Sequence, residues 1–182
     1  MLLRRFTEAD AGRLAALYGD LRVMRFITPE LPTLMEIQAQ ILPEYLGEYR
    51  KLPDGFGSFA AIEKATGQMA GTFSLKPANS YGLNGGTELG YRLYPAFWGR
   101  GLATEGARAL IRLAFEQLDL DRIVATMMAD NIGSWRVMEK CGLRRVSTFY
   151  YPGVHLMPGA EHGDFVYELT RTYGTRQAKD ES

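Results

Sequence analysis

Between Thr87 and Gln117 an alternating segment, "TELGYRLYP", runs through two glycines one residue apart into an amphipathic stretch, "LATEGARALIRLAFEQ". Leu89, Tyr91 and Leu93 fall on one face of the alternation and Glu88, Gly90 and Arg92 on the other, so the first part reads as a strand. The isolated Gly90 predicts a bulge or a close neighbour. Ala103, Ala107, Leu110, Ile111, Ala114 and Leu118 recur at helical spacing, which predicts a helix with one buried face. Gly99 and Gly101 are poor helix formers placed where that helix must begin. A strand, a glycine turn and a helix N-terminus in that order make an anion site, because the first helical amides lack internal partners and the dipole favours negative charge.

Two familiar phosphate-binding turns do not fit. A P-loop requires Lys followed by Ser or Thr after its second glycine, and neither is present. A dinucleotide fingerprint requires a third small residue, whereas Gly99-Arg100-Gly101-Leu102-Ala103 runs into Thr104. The preceding strand also alternates where that motif wants a continuous apolar run, and Asp130, the acid ending the next strand, lies too far on.

The flanking sequence supplies more strands and helices. "LLRRF" predicts a strand, and Thr7 with Asp10 forms an approximate capping box ahead of a helix whose face is Leu14, Leu17, Tyr18 and Leu21. Thr33 with Glu36 opens a second helix carrying Ile37, Ile41, Tyr45 and Tyr49, which Pro43 should kink. "FGSFAAIEK" and "QMAGTFSLKP" read as a hairpin. "RIVATMMAD" reads as a buried strand, and "NIGSWRVMEKCGL" as a helix from about Ser134 to a terminal Gly142. "LRRVSTFYY" and "DFVYELTRT" are two last strands around the loop "PGVHLMPGAEHG". The order β-α-α-β-β-β-α-β-α-β-β predicts one α/β domain over 1–174, followed by a polar tail at 175–182.

With 182 residues, 46% of them hydrophobic, the chain can bury a core without metal or disulfide support. Lys plus Arg and Asp plus Glu each number 21, so no overall field attracts nucleic acid or an anionic membrane. The N-terminus lacks a signal-peptide pattern and no stretch approaches a membrane-spanning length, which predicts a cytoplasmic protein. Cys141, the single cysteine, fits a reducing compartment and a packed role. His155 and His162 lack a surrounding ligand cluster, so no metal is expected.

"ELGYRLYPAFWGRGLATEGARALIRLAF" followed by "LDRIVATMMADNIGSWRVMEKCGL" resembles the acyl-CoA-binding half of the GCN5-related N-acetyltransferases (GNAT), in particular the branch of ribosomal-protein N-terminal acetyltransferases. "LRRFTEADAGRLAALYGDLRVMRFI" and "FAAIEKATGQMAGTFSL" resemble the family's opening strand and helix and its central hairpin, so the likeness covers nearly the whole chain. The resemblance implies a mixed, mostly antiparallel sheet of about seven strands flanked by about four helices. It also implies that the amides of Gly99, Arg100, Gly101, Leu102, Ala103 and Thr104 bind the CoA pyrophosphate, in agreement with the anion-site argument. Trp98 stands where the broader family often has Gln or Arg, which suggests a packing role. Pantetheine would lie between the strands Glu88–Tyr94 and Arg122–Ala129 and pair with backbone around Tyr91, Arg92 and Leu93.

Acetyl transfer to an amine needs a neutral nucleophile, a polarised thioester and a proton for the thiolate. Glu88 matches a glutamate often found in this branch and is the candidate general base, directly or through water. Ser134 matches the serine near the CoA sulfur, with a helix N-cap as its plain structural role. Asn131 matches the residue that binds the pantetheine amides, and Arg100, Arg136 and Lys140 are candidates for the CoA phosphates. Glu105 and Glu139 read as ordinary helix charges, and Cys141 shows no base that would make it an acyl carrier, so direct transfer is the simpler mechanism. The acceptor would be a protein N-terminal α-amine or a small-molecule amine, admitted between "VMRFITPELP" and the "YYPGVHLMPGAEHGDF" loop. A non-catalytic acyl-CoA-binding module and a different donor such as succinyl-CoA are the alternatives. A homodimer would use an exposed edge among the C-terminal strands.

Overall fold

The computed structural model describes residues 1–78, 83, 85–150 and 157–171. Seven strands, β1 (Leu2–Arg5), β2 (Gly57–Ile62), β3 (Met69–Pro77), β4 (Thr87–Leu93), β5 (Arg122–Met128), β6 (Arg144–Phe149) and β7 (Asp164–Thr170), form one sheet. Its order is β1-β2-β3-β4-β5-β7-β6, antiparallel throughout except between β4 and β5. That one parallel pair follows from the connection, since a helix must carry the chain back before β5 can begin. The crossover is α5 (Leu102–Arg112), continued by a π-helical turn at Leu113–Gln117. The other helices are α1 (Ala11–Tyr18), the single turn α2 (Leu21–Met24), a rod of α3 (Leu34–Glu36) and α4 (Leu42–Lys51), and α6 (Ile132–Lys140). The mixed, mostly antiparallel seven-stranded sheet agrees with the expected GNAT architecture.

The sheet has two covered faces. Ala107 and Leu110 of α5, Ala114 of the π-helical turn after it and Met138 of α6 pack with Phe73, Leu75, Leu89 and Leu93. Leu14, Leu17 and Tyr18 of α1 and Leu42 and Tyr45 of α4 pack with Phe6, Ala60 and Met69. The alternation of β4 therefore sends Leu89, Tyr91 and Leu93 toward α5 and α6, and Glu88, Gly90 and Arg92 toward α1 and α4. Gly90 has the expected close neighbour rather than a bulge. A Cβ there would lie 2.7 Å from Ser74 Oγ, and the β3–β4 register runs unbroken through Ser74↔Gly90.

Both capping boxes are formed, at Thr7 with Asp10 and at Thr33 with Glu36. Three local expectations are corrected. Leu21 is not on the buried face of the first helix but 65% exposed, because α1 stops at Tyr18 and Asp20 caps a new turn by accepting the Arg22 amide at 2.9 Å. Pro43 does not kink a uniform α-helix. The turn ahead of it widens to a π-helix at Ile37–Ile41, where Leu42 N–H bonds Ile37 O, and this absorbs the amide that Pro43 lacks. The sixth helix begins at Ile132, two residues before the expected Ser134. Among the described residues no helix is long and apolar enough to cross a membrane.

Candidate active site

β4 and β5 pair at only two positions, Thr87↔Ile123 and Glu88↔Val124. Beyond them β4 stays with β3 as far as Gly71↔Leu93, while β5 stays with β7 as far as Met128↔Asp164. The sheet parts into two halves, and the backbone of Leu89 to Leu93 is left without a strand partner on the β5 side. Such an edge can pair with an extended amide-bearing ligand. A cavity of about 780 Å³ occupies the opening, and its lining includes Glu88, Tyr91, Asn131 and Ser134.

Glu88 stands at the last paired position, where its Oε1 accepts a hydrogen bond from Thr126 Oγ1 of β5 at 2.9 Å. Tyr91 reaches across the opening to α6, with its hydroxyl 3.5 Å from Ser134 Oγ. Burial raises the Tyr91 hydroxyl above the usual phenol range, so it remains a proton donor at neutral pH. The helix cap is Asn131, not Ser134: the Asn131 side chain accepts the Ser134 amide at 3.2 Å. Asn and Ser are both good caps three residues apart, and the one further from the helix interior takes the role. The Ser134 hydroxyl is thereby left for the cavity.

The glycine turn is built as the sequence suggests. Gly99 and Gly101 have φ values of 71° and 78°, left-handed conformations that glycine adopts without strain. Gly101 caps α5 with no side chain, and its carbonyl accepts the Glu105 amide at 3.0 Å, closing the first turn of the helix. The amides of Leu102, Ala103 and Thr104 precede that bond and open toward whatever lies beyond the helix end. Lys140 is brought to the same end, lining a shallow depression of about 480 Å³ with Gly101, Thr104 and Arg108.

Other basic candidates go elsewhere. The Arg100 guanidinium is engaged by Glu63 and stands over the Phe97 ring, so its side chain is committed to the β2–β3 turn. Arg136 lies exposed on α6 with its guanidinium 5.6 Å from the Trp135 ring centroid. The Arg92 side chain turns to the part of the cavity that Tyr18 lines and donates from Nη1 to the Tyr18 hydroxyl at 3.0 Å. The Leu93 carbonyl is taken by the Trp98 indole N–H at 2.8 Å, which explains the tryptophan: it clips the end of β4 to the turn. Burial raises the Cys141 thiol, and its Sγ lies 3.8 Å from Thr104 O, a packing position at the start of α5.

Residues 1–144 match the family model described as "Acetyltransferase (GNAT) domain". The chain belongs to the GNAT acetyltransferase family. Over 131 residues it is 37% identical to the FsC-acetyl coenzyme A-N(2)-transacetylase of Aspergillus fumigatus, covering 69% of this chain and 54% of that one. The chain thus spans about half the length of that curated relative. A GNAT-family acetyltransferase from Bacillus anthracis superposes with a TM-score of 0.74 at 24% identity, over 93% of each chain. The aminoglycoside acetyltransferase AAC(6')-Ib, solved with ribostamycin and coenzyme A, superposes with a TM-score of 0.73 at 24% identity, over 96% of this chain and 95% of that one. At these identities the two structures share the fold.

The GNAT cavity extends past the opening to a wall that the sequence reading did not assemble. Met24, Phe26 and Leu31 of the "VMRFITPELP" segment line it as expected, but Tyr18, Tyr45 and Lys76 join them. Tyr18 and Tyr45 have the spacing of buried helix faces, and nothing local shows that their hydroxyls meet at 2.6 Å. Asp164 enters the lining from β7, its carboxyl raised by burial. Residues 151–156 of the second expected wall, His155 among them, lie outside the described residues. His162 is paired with Asp130 at 2.8 Å, and no group of three or more potential metal ligands occurs among the described residues.

Proposed function

We propose that this GNAT domain transfers an acetyl group from acetyl-CoA to a primary amine by direct attack in a ternary complex. One observation carries the reading: the β4–β5 opening runs between a turn of free helix amides and a carboxylate at its closed end. The amides of Gly99 to Thr104 would hold the pyrophosphate, and the backbone of Tyr91 to Leu93, which has no strand partner on the β5 side and whose Leu93 carbonyl is held by Trp98, the pantetheine arm. The name of the Aspergillus relative places acetyl transfer on a nitrogen, and the aminoglycoside enzyme was solved with coenzyme A, which supports the same donor and an amine acceptor here.

In the reaction the amine nitrogen forms a bond to the acetyl carbonyl carbon as the carbon–sulfur bond breaks. Glu88 takes the amine proton, directly or through one water, and Ser134, supplied by the Tyr91 hydroxyl, returns a proton to the thiolate. Removing the Ser134 hydroxyl with Ser134→Ala is expected to lower kcat about tenfold, because water can replace a proton relay in part. A kcat equal to that of the unaltered protein would leave the serine as a bystander. The reaction belongs in the cytoplasm, and a homodimer would form through β6, the exposed C-terminal edge of the sheet.

Calorimetric titration with acetyl-CoA tests the donor. One saturable site is expected, with NADH and ATP silent. In Gly101→Ala the affinity falls about tenfold, since a Cβ forces the turn out of its left-handed conformation at roughly 1–2 kcal/mol. Nothing lies within 4 Å of the added methyl, so the loss reports the turn and not a clash. No binding to the unaltered protein would remove the reading, and binding without turnover over a broad amine panel would make the chain a non-catalytic CoA-binding module.

A further inference from the structure

Two cations face the acceptor half of the cavity, and the fold treats them differently. Lys76 Nζ lies 2.5 Å from Glu48 Oε1, and Glu48 also accepts the Ser58 amide at 2.8 Å, so that charge is balanced internally. Arg92 has no carboxylate at ion-pairing distance among the described residues. Its Nη1 donates to Tyr18, its guanidinium stands 4.9 Å from the Tyr18 ring centroid, and its buried Nε has no hydrogen-bond partner there. Burial and the adjacent Tyr18 push the Tyr45 hydroxyl far above the phenol range, so it remains neutral and offers a lone pair without a counter-charge. A half-buried cation calls for an anion, and among the described residues none is supplied at ion-pairing distance.

We propose that the anion is a carboxylate of the acceptor, and that Arg92 selects amines that carry one; this rests on the acetyl-transfer reading above. A guanidinium receives a carboxylate through parallel N–H donors, a geometry that an ammonium group does not reproduce. Glu88 and Arg92 share one face of β4 with only Gly90 between them. Four residues of strand separate their Cα atoms by about 13 Å. The floor between them is low, Gly90 with only the Ser74 hydroxyl beside it, so an acceptor lies along the strand with its amine toward Glu88 and its carboxylate toward Arg92. Asp164 lines the cavity from β7, on the other side of the opening and unpaired with Arg92; Glu30, Glu36 and Glu44 line it too, but the three glutamates are exposed, and Glu36 is tied into its capping box by Thr33. Solvent and salt screen charges so placed, and they do not neutralise Arg92.

The test compares amines that differ by the carboxylate alone: L-ornithine with putrescine, and L-lysine with cadaverine, each with acetyl-CoA as donor. The unaltered protein is expected to favour the amino acid of each pair by about 10–100-fold in kcat/KM, chiefly through KM. Arg92→Met brings that ratio near one and Arg92→Lys restores it in part, while acetyl-CoA affinity reports that the fold is intact. Equal use of the two, preference for the diamine, or a ratio that survives Arg92→Met overturns the assignment. Where turnover is absent, the same four amines titrated into the protein with and without CoA read the preference directly, and equal binding or none overturns it. Failure of acetyl-CoA to bind is a separate result, which removes the proposed reaction and leaves the amine titrations to decide on Arg92.

Discussion

Glu88→Gln is expected to lower kcat for acetyl transfer by about 10²–10⁴-fold, the range that a positioned general base contributes. The substitution isolates the proton-accepting role. Glutamine keeps an oxygen for the Thr126 hydroxyl, which donates to Glu88 at 2.9 Å, so β4 and β5 remain tied at the closed end of the opening. Acetyl-CoA affinity should stay within about twofold, because the amides proposed to hold the pyrophosphate lie at the other end of β4 and distant sites behave independently. Steady-state kinetics on an accepted amine, with calorimetry on the same preparation, separates the outcomes. A kcat unchanged in Glu88→Gln would transfer the base role to another group or to solvent. A parallel loss of kcat and CoA affinity would instead mean that Glu88 holds the opening in shape.

The geometry of the candidate site was legible where it is local. Gly99 and Gly101 before an amphipathic helix announce a tight turn at the helix N-terminus, and the alternation of β4 correctly separates Glu88 and Arg92 from the face of Leu89 and Leu93. What periodicity does not carry is the extent of pairing: no feature of "TELGYRL" or "RIVATMM" states that β4 and β5 part after two residue pairs. Long side chains are the second source of error. Arg100 has the sequence position of a phosphate ligand, yet Glu63, 37 positions earlier in the β2–β3 turn, claims it. Arg92 likewise finds Tyr18, 74 positions away, a meeting set by the packing of α1 and not by its own neighbourhood. Competition between equivalent groups is the third, as at Asn131 and Ser134, where either could cap α6 and the choice decides whether the Ser134 hydroxyl is left for the cavity.

The placement of Tyr18 depends in turn on how α1 is anchored, and that anchor should dominate the acid stability of the molecule. Asp10 is fully buried at the entrance to α1, where both carboxylate oxygens accept from Arg4, at 2.7 and 2.8 Å, and one also accepts the Thr7 amide at 3.0 Å. The Arg4 hydrogen bonds outweigh the burial that opposes them, and with those from Thr7 they bring the carboxyl down to about 2 from an ordinary 3.8. Since the folded value lies below the unfolded one, the folded chain binds fewer protons between them. The stabilisation is therefore complete above about pH 4 and is lost as pH falls through about 2. It amounts to about 2 kcal/mol at neutral pH. Asp10→Asn, which keeps the size of the side chain but not its charge, should lower Tm at pH 7 by about 4–8 °C. Measured by denaturant unfolding, the gap between Asp10→Asn and the unaltered protein should shrink to about half by pH 3, where wild-type Asp10 begins to lose its own advantage. A gap that stays constant across that range would assign the loss to packing at the head of α1 and not to the carboxylate's charge.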